Sequence, residues 1–133
     1  KDDHIKLKST WTKGGRARCV PIRTVKQRRL LEKIRKLTKG GALIPPNKNF
    51  IKQRNHYDRQ VRDAGIRNPH GLRHAYAQRR YEELTGWKAP VAGGPASKSL
   101  SSDQRALNKG ARETIAEELG HSREEISKVY LGR

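Results

Sequence analysis

Three short segments carry side chains whose types and order along the chain could form a reactive site. The first contains Lys13, within the sequence TKGGR, and the second is residues 70–74, HGLRH. The third is residues 119–121, LGH, and Tyr130 follows nine residues after its histidine. These side chains include imidazoles that can transfer protons, cations that can bind an anion and a hydroxyl that can act as a nucleophile.

Each segment taken alone also has an ordinary structural explanation. A lysine beside a glycine turn is normally a solvated loop residue, His121 could simply lie between two helices, and Tyr130 could be a core residue. His70 and His74 have the i, i+4 spacing of metal ligands, but Arg73 lies between them. No carboxylate occupies the intervening positions, as the H-E-x-x-H zinc pattern requires. We therefore expect no metal site, and the combination of segments is more informative than any one of them.

The combined order resembles the signature of the tyrosine recombinases of the phage-integrase type. HGLRH matches the H-x-L-R-H box of that family, and LGHS…VYLGR matches its closing box. The resemblance covers nearly the full chain, roughly from the β-hairpin predicted below to the C-terminus, and is strongest to integrases of phages and other integrative elements. A GW…P…GG stretch within residues 86–94 is typical of a subgroup of them.

The resemblance implies a mechanism of site-specific DNA recombination. Tyr130 is the implied nucleophile, which attacks a scissile phosphodiester and leaves a 3′-phosphotyrosyl link with a free 5′-hydroxyl. His70 is the implied base, and Arg73 and His121 would donate hydrogen bonds to the non-bridging oxygens. Lys13 would protonate the departing 5′-oxygen. The resemblance implies neither a cofactor nor a metal, because cationic side chains stabilise the charge.

The chain departs from the family pattern upstream of Lys13. The first of the two catalytic arginines of the family belongs to a segment that we do not find here, and nothing in the pattern lets Arg16 or Arg18 substitute for it. We therefore expect residues 1–133 to be a single, partial catalytic domain without the upstream arginine segment and the N-terminal DNA-binding domain. Such a chain is expected to cut DNA poorly alone. His74 is expected to have a supporting or packing role.

Composition favours a nucleic-acid partner. The chain has 31 Lys and Arg against 13 Asp and Glu, a formal net charge of +18, which repels itself unless an anionic partner is bound. We expect duplex DNA, other recombinase protomers in a tetrameric synapse, no membrane, and a bacterial or phage protein of the cytoplasm and nucleoid. Two alternatives stay open, namely a non-catalytic DNA-binding accessory or inhibitor derived from an integrase, and a basic RNA-binding protein.

The elements that must position these residues are mostly helical. Alternation over residues 4–11 and 17–22 predicts a β-hairpin around Gly14 and Gly15, with Pro21 at a strand end or edge. Thr24 and Gln27 predict a capping box for a first helix, which has an apolar stripe and ends at residues 40–41.

Further helices are expected at about residues 48–64 and 70–85. After a loop at residues 86–102, a helix capped by Ser102 should end at Gly120. Ser122 and Glu125 predict a capping box for a short last helix. The expected fold is mainly α (α+β), a helical DNA breaking-rejoining core with one small antiparallel hairpin.

Overall fold

A computed structural model describes residues 3–12, 14–121 and 127–133. The described residues form five α-helices and one two-stranded antiparallel sheet, which confirms the mainly α (α+β) class. The strands are β1 (His4–Leu7) and β2 (Arg18–Pro21), and the helices are α1 (Val25–Thr38), α2 (Phe50–Asp63), α3 (Gly71–Thr85), α4 (Ser102–Leu119) and α5 (Ser127–Leu131).

The hairpin strands are shorter than the alternation of the sequence predicted. After β1 the chain leaves the extended conformation and forms a 3-10 turn at Ser9–Trp11. In this turn the Trp11 amide donates to the Lys8 carbonyl. Gly14 and Gly15 both have positive φ, as the turn requires. Pro21 is the last residue of β2, as expected. The turn residue Lys13 lies outside the described residues.

Residues 1–5 and 21–69 form one of two compact units and contain α1 and α2. The predicted capping box of α1 is present, because the Thr24 hydroxyl accepts from the Gln27 amide and the Gln27 side chain accepts from the Thr24 amide. Asn49 caps α2 in a similar way. Neither helix has a buried residue, and Leu30 and Leu37 of the expected apolar stripe are exposed.

Residues 6–20 and 70–133 form the second unit, which contains the hydrophobic core. Its fully buried side chains come from α3, α4 and α5, with Tyr81, Ile115 and Leu131 the largest. Helices α3 and α4 are also joined by an ion pair, in which the Arg80 guanidinium donates to both oxygens of the buried Glu118 carboxylate. The Tyr76 hydroxyl donates to the same carboxylate at 2.6 Å.

The segment between α3 and α4 packs on this core instead of extending from it. Two 3-10 turns, Pro90–Ala92 and Ser97–Ser99, shape the segment, and Ala89 and Leu100 are buried at 1% and 3% exposure. At Gly94 a Cβ would overlap the Lys88 carbonyl, so only glycine fits this close backbone approach. The predicted loop therefore has a defined conformation and a buried inner face.

Both ends of α4 illustrate how capping decides helix boundaries. The N-cap is Ser101 and not Ser102, because the Ser101 hydroxyl accepts from Gln104 and Gln104 accepts from the Ser101 amide in a capping box. The predicted N-cap, Ser102, was therefore wrong by one residue, because Ser101 and Ser102 are adjacent and either could have capped the helix. Gly120 ends the helix with φ of 77°, as expected. The predicted capping box of Ser122 and Glu125 lies outside the described residues.

Candidate active site

The candidate site begins at the first turn of α3. His70 is the N-cap residue, and Arg73 and His74 follow at i+3 and i+4, so these three side chains share one helix face. The same face continues into the core through Ala77 and Tyr81, both fully buried. The helix therefore places its polar residues at one end of its buried stripe, with His70 exposed and Arg73 and His74 partly buried.

The LGH segment forms the C-terminal turn of α4. The amide of His121 donates to the Ala116 carbonyl at 2.8 Å, and the amide of Gly120 donates to the Glu117 carbonyl at 2.9 Å. This pattern, with glycine in the left-handed conformation, reverses the chain directly after the helix. His121 is consequently held against the end of α4, which explains in physical terms why a glycine precedes it.

Arg73 contacts this turn directly. Its Nη2 donates to the Leu119 carbonyl at 2.7 Å and lies 3.3 Å from His121 Nε2. Because a guanidinium can only donate, His121 Nε2 must accept, and the proton of the neutral imidazole is then on Nδ1. Arg73 Nε is shielded from solvent and has no hydrogen-bond partner within the described part of the chain.

Tyr130 lies among three imidazoles. The centroid of its ring is 4.7 Å from that of His74, 5.6 Å from that of His121 and 6.3 Å from that of His70. Tyr130 is 4% exposed and belongs to the buried core cluster. Its carbonyl accepts from Gln78 Nε2 at 3.3 Å. The sequence had placed His74 outside the catalytic set, yet its ring is the nearest of the three to Tyr130.

The surroundings of His121 lower its pKa. Burial lowers the pKa of His121 below its ordinary value of 6.5, and electrostatic interactions with Arg73, Arg18 and His70 lower it further. The imidazole of His121 is therefore neutral at pH 7. A neutral imidazole with its proton on Nδ1 can donate one hydrogen bond to an oxygen of a bound anion.

Arg18 is the residue near this site that the sequence pattern had set aside. Its side chain is partly buried and packs against Gly120, where a Cβ would lie 2.7 Å from Arg18 Cζ and 3.2 Å from its Nε. Arg16, two residues earlier, is exposed. The alternation of β2 could have indicated that residues 18 and 20 share one side, but not that Gly120 lies beside Arg18.

The structure thus brings together four of the five residues predicted for catalysis, namely His70, Arg73, His121 and Tyr130. The fifth, Lys13, lies outside the described residues. Within the described ranges, no group of three or more His, Cys, Asp or Glu side chains is arranged to hold a metal ion.

Four arginines of α1 and α3, whose charge suits contact with DNA phosphates, differ in environment. Arg80 is paired with Glu118 and Glu83, and Arg28 with Asp3 at 2.7 Å. Arg29 and Arg79 are exposed.

A family model described as Integrase matches residues 4–79. The match covers 79 − 4 + 1 = 76 of the 133 residues, which is more than half of the chain. The chain therefore belongs to this integrase family, whose members act in DNA integration and recombination and bind DNA. No curated protein and no solved structure matches the chain significantly.

The matched residues include His70 and Arg73 but end before His121 and Tyr130. The roles of the latter two residues consequently depend on the geometry of the site.

None of the helices in the described ranges has the length and apolar character needed to cross a membrane.

Proposed function

We propose that the chain is a tyrosine-type site-specific recombinase, which cuts and rejoins duplex DNA through Tyr130. The proposal rests on the three imidazoles whose rings lie close to that of Tyr130. Arg73 also donates a hydrogen bond to Leu119, in the turn that carries His121. A tyrosine hydroxyl beside imidazoles and an arginine suits phosphoryl transfer without a metal. Recombination by such an enzyme is expected to involve further protomers, up to a tetramer, on the DNA.

In the proposed cleavage step, the Tyr130 hydroxyl oxygen attacks the phosphorus and the bond from phosphorus to the 5′-oxygen breaks. A phenol is a poor nucleophile at neutral pH until a base removes its proton, and His70 is the proposed base. Lys13 gives a proton to the departing 5′-oxygen. The product holds a 3′-phosphotyrosyl link and a free 5′-hydroxyl, and the reverse reaction rejoins the strand without an external energy source.

Arg73 and His121 are the proposed stabilisers of the charge that develops on the non-bridging oxygens. The Leu119 carbonyl anchors Arg73 through Nη2, and no carboxylate of the described residues forms an ion pair with this guanidinium. His121 can donate from Nδ1 while its Nε2 accepts from Arg73. The two donors, one on α3 and one directly after α4, would therefore contact the same phosphate.

The burial of Tyr130 favours a second candidate function. At 4% exposure, Tyr130 also fits a core residue of a DNA-binding protein that performs no cleavage. Such a protein would act as an accessory or inhibitor of an intact integrase. It would bind duplex DNA with an affinity that falls steeply with salt, and it would form no covalent adduct.

A trapping assay on a nicked suicide duplex that carries the cognate site distinguishes the two functions. We expect the wild-type chain to form, slowly, an adduct that survives denaturation, and the Tyr130→Phe variant to form none while its duplex affinity stays within about 2-fold. Tyr57→Phe, at an exposed tyrosine of α2, is the matched control and should retain the adduct. Salt-sensitive binding without an adduct in the wild type would favour the accessory function.

A further inference from the structure

Arg18 and Arg73 approach the same short turn from two different elements. Arg73, on α3, donates to the Leu119 carbonyl, and Arg18, at the start of β2, packs its guanidinium against Gly120. Leu119 and Gly120 are neighbours in the chain and are followed directly by His121. Two guanidinium groups therefore flank one turn that ends in an imidazole.

Neither guanidinium is paired with a carboxylate of the described residues. Within the described ranges, Arg18 and Arg73 form no ion pair, and the Nε atom of each is shielded from solvent without a hydrogen-bond partner. By contrast, the partly buried Arg80 is paired with two glutamates. Removing a charge from water without a counter-ion costs free energy. Two such arginines at one turn therefore indicate that a bound anion completes the site.

The environment of His121 supports the same conclusion. Arg73 Nη2 lies 3.3 Å from His121 Nε2, the centroid of the Tyr130 ring lies 5.6 Å from that of His121, and the positive charge of Arg18 also acts on the imidazole. These cationic neighbours act together with burial to lower the pKa of His121. An anion bound by both guanidinium groups would raise the pKa of His121 again, and it would also stabilise the charges of Arg18 and Arg73.

We infer that Arg18 and Arg73 form a two-guanidinium site for a phosphate group, in which Arg18 contacts the scissile phosphodiester as a further catalytic residue. The identity of that phosphodiester rests on the proposed recombinase function, but the phosphate site itself does not. Arg18 supplies the planar fork that matches the non-bridging oxygens of a phosphate.

Inorganic phosphate is the probe that tests the site without cleavage. Binding is followed through the NMR signals of the His121 imidazole in the full chain, for the wild type, Arg18→Gln and Arg18→Lys. Arg16→Gln is the matched control, because Arg16 has the same charge, lies in the same hairpin and is exposed. We expect phosphate affinity to fall about 10-fold or more in Arg18→Gln, partly to recover in Arg18→Lys, and to change less than about 2-fold in Arg16→Gln.

The pKa of His121 is a second readout, because it responds to the charge of Arg18 and not only to the packing of its side chain. Loss of the Arg18 charge should raise the pKa of His121 in Arg18→Gln, whereas Arg18→Lys and Arg16→Gln should leave it near the wild-type value. Arg18→Lys also keeps a cation against Gly120 if the glutamine variant unfolds. Equal phosphate affinity in all variants would overturn the inference.

The trapping assay separates this inference from the proposed function. We expect Arg18→Gln to form the covalent adduct about 10²–10³-fold more slowly than Arg16→Gln, as for the loss of one preorganised donor. If phosphate binding depends on Arg18 but no variant forms an adduct, the phosphate site stands and the recombinase proposal fails. If the wild type forms an adduct and Arg18→Gln matches Arg16→Gln in adduct rate, the inference fails and the recombinase proposal stands.

Discussion

His121 is the residue at which the contacts of the candidate site converge. It is partly buried, accepts from Arg73, packs 5.6 Å from the Tyr130 ring and is reached by the charge of Arg18. The L-G-H spelling alone indicates a helix end followed by a histidine. The role of that histidine depends on Arg73 and Arg18, which lie 48 and 103 residues earlier in the chain. No local sequence pattern includes residues so far apart.

The lowered pKa of His121 predicts a loss of stability in acid. Because protonation of His121 is less favourable in the folded state than in the unfolded chain, its contribution to stability is complete above about pH 6.5. The contribution is lost as the pH falls below 6.5 towards the lowered pKa. We expect urea denaturation at pH 7.5 and pH 5.5 to show a smaller decrease in the free energy of unfolding for His121→Gln than for the wild type.

His56→Gln is the control for this pH dependence, since His56 is exposed on α2. It should lose as much stability between the two pH values as the wild type does. An identical acid response in His121→Gln and the wild type would contradict the environment described for His121.

At the scale of elements, capping residues and glycines made most helix boundaries predictable. The Thr24 capping box and the glycine at the end of α4 are local signals, and the structure contains them where the sequence indicated. The apolar stripe of α1 was a weaker signal, because Leu30 and Leu37 are exposed. Periodicity predicts that a helix has an apolar face, but it does not decide whether that face is buried.

The contact between α3 and α4 was not predictable, because its central residue looks like an ordinary surface glutamate. Glu118 is 8% exposed and accepts from Arg80 and Tyr76, which lie 38 and 42 residues earlier in the chain. Burial of a carboxylate is stabilising only while its partners are present. The tertiary pairing, and not the pattern of α4, therefore determines the role of Glu118.

Glu118→Leu should lower the free energy of unfolding by about 3 kcal/mol, because it leaves Arg80 and Tyr76 without their shared acceptor. This value is at the low end for a broken buried pair, since Glu83 remains 3.4 Å from Arg80. Glu113→Leu is the control on the same helix, where the exposed pair with Lys109 at 3.9 Å is worth about 0.5 kcal/mol. Equal losses in urea denaturation would contradict the buried network.

At the scale of the whole molecule, the two units differ in the amount of core they contain. All buried residues of the described ranges lie in the unit formed by residues 6–20 and 70–133. The unit formed by residues 1–5 and 21–69 exposes large apolar side chains, among them Leu30, Leu37 and Phe50. Overall charge and composition indicated a DNA-binding protein but could not indicate this division, which depends on tertiary contacts.

We therefore expect unequal protection from hydrogen exchange. Amides of α1 and α2 should exchange faster than those of α3 and α4, because local opening costs less where little apolar surface is buried. Exchange measured by mass spectrometry on the chain without DNA would show this order. Similar protection of α1 and α4 would contradict the difference in packing between the two units.

The most direct test of the proposed function is to locate the covalent link in the trapped adduct. The adduct is digested with nuclease and with trypsin, which cleaves after Lys128 and so releases residues 129–133 as the peptide VYLGR. We predict that tandem mass spectrometry will find the nucleotide on Tyr130 of this peptide, joined through its 3′-phosphate. A nucleotide on any other residue, or an unmodified peptide from a reaction that has cut the substrate, would contradict Tyr130 as the nucleophile.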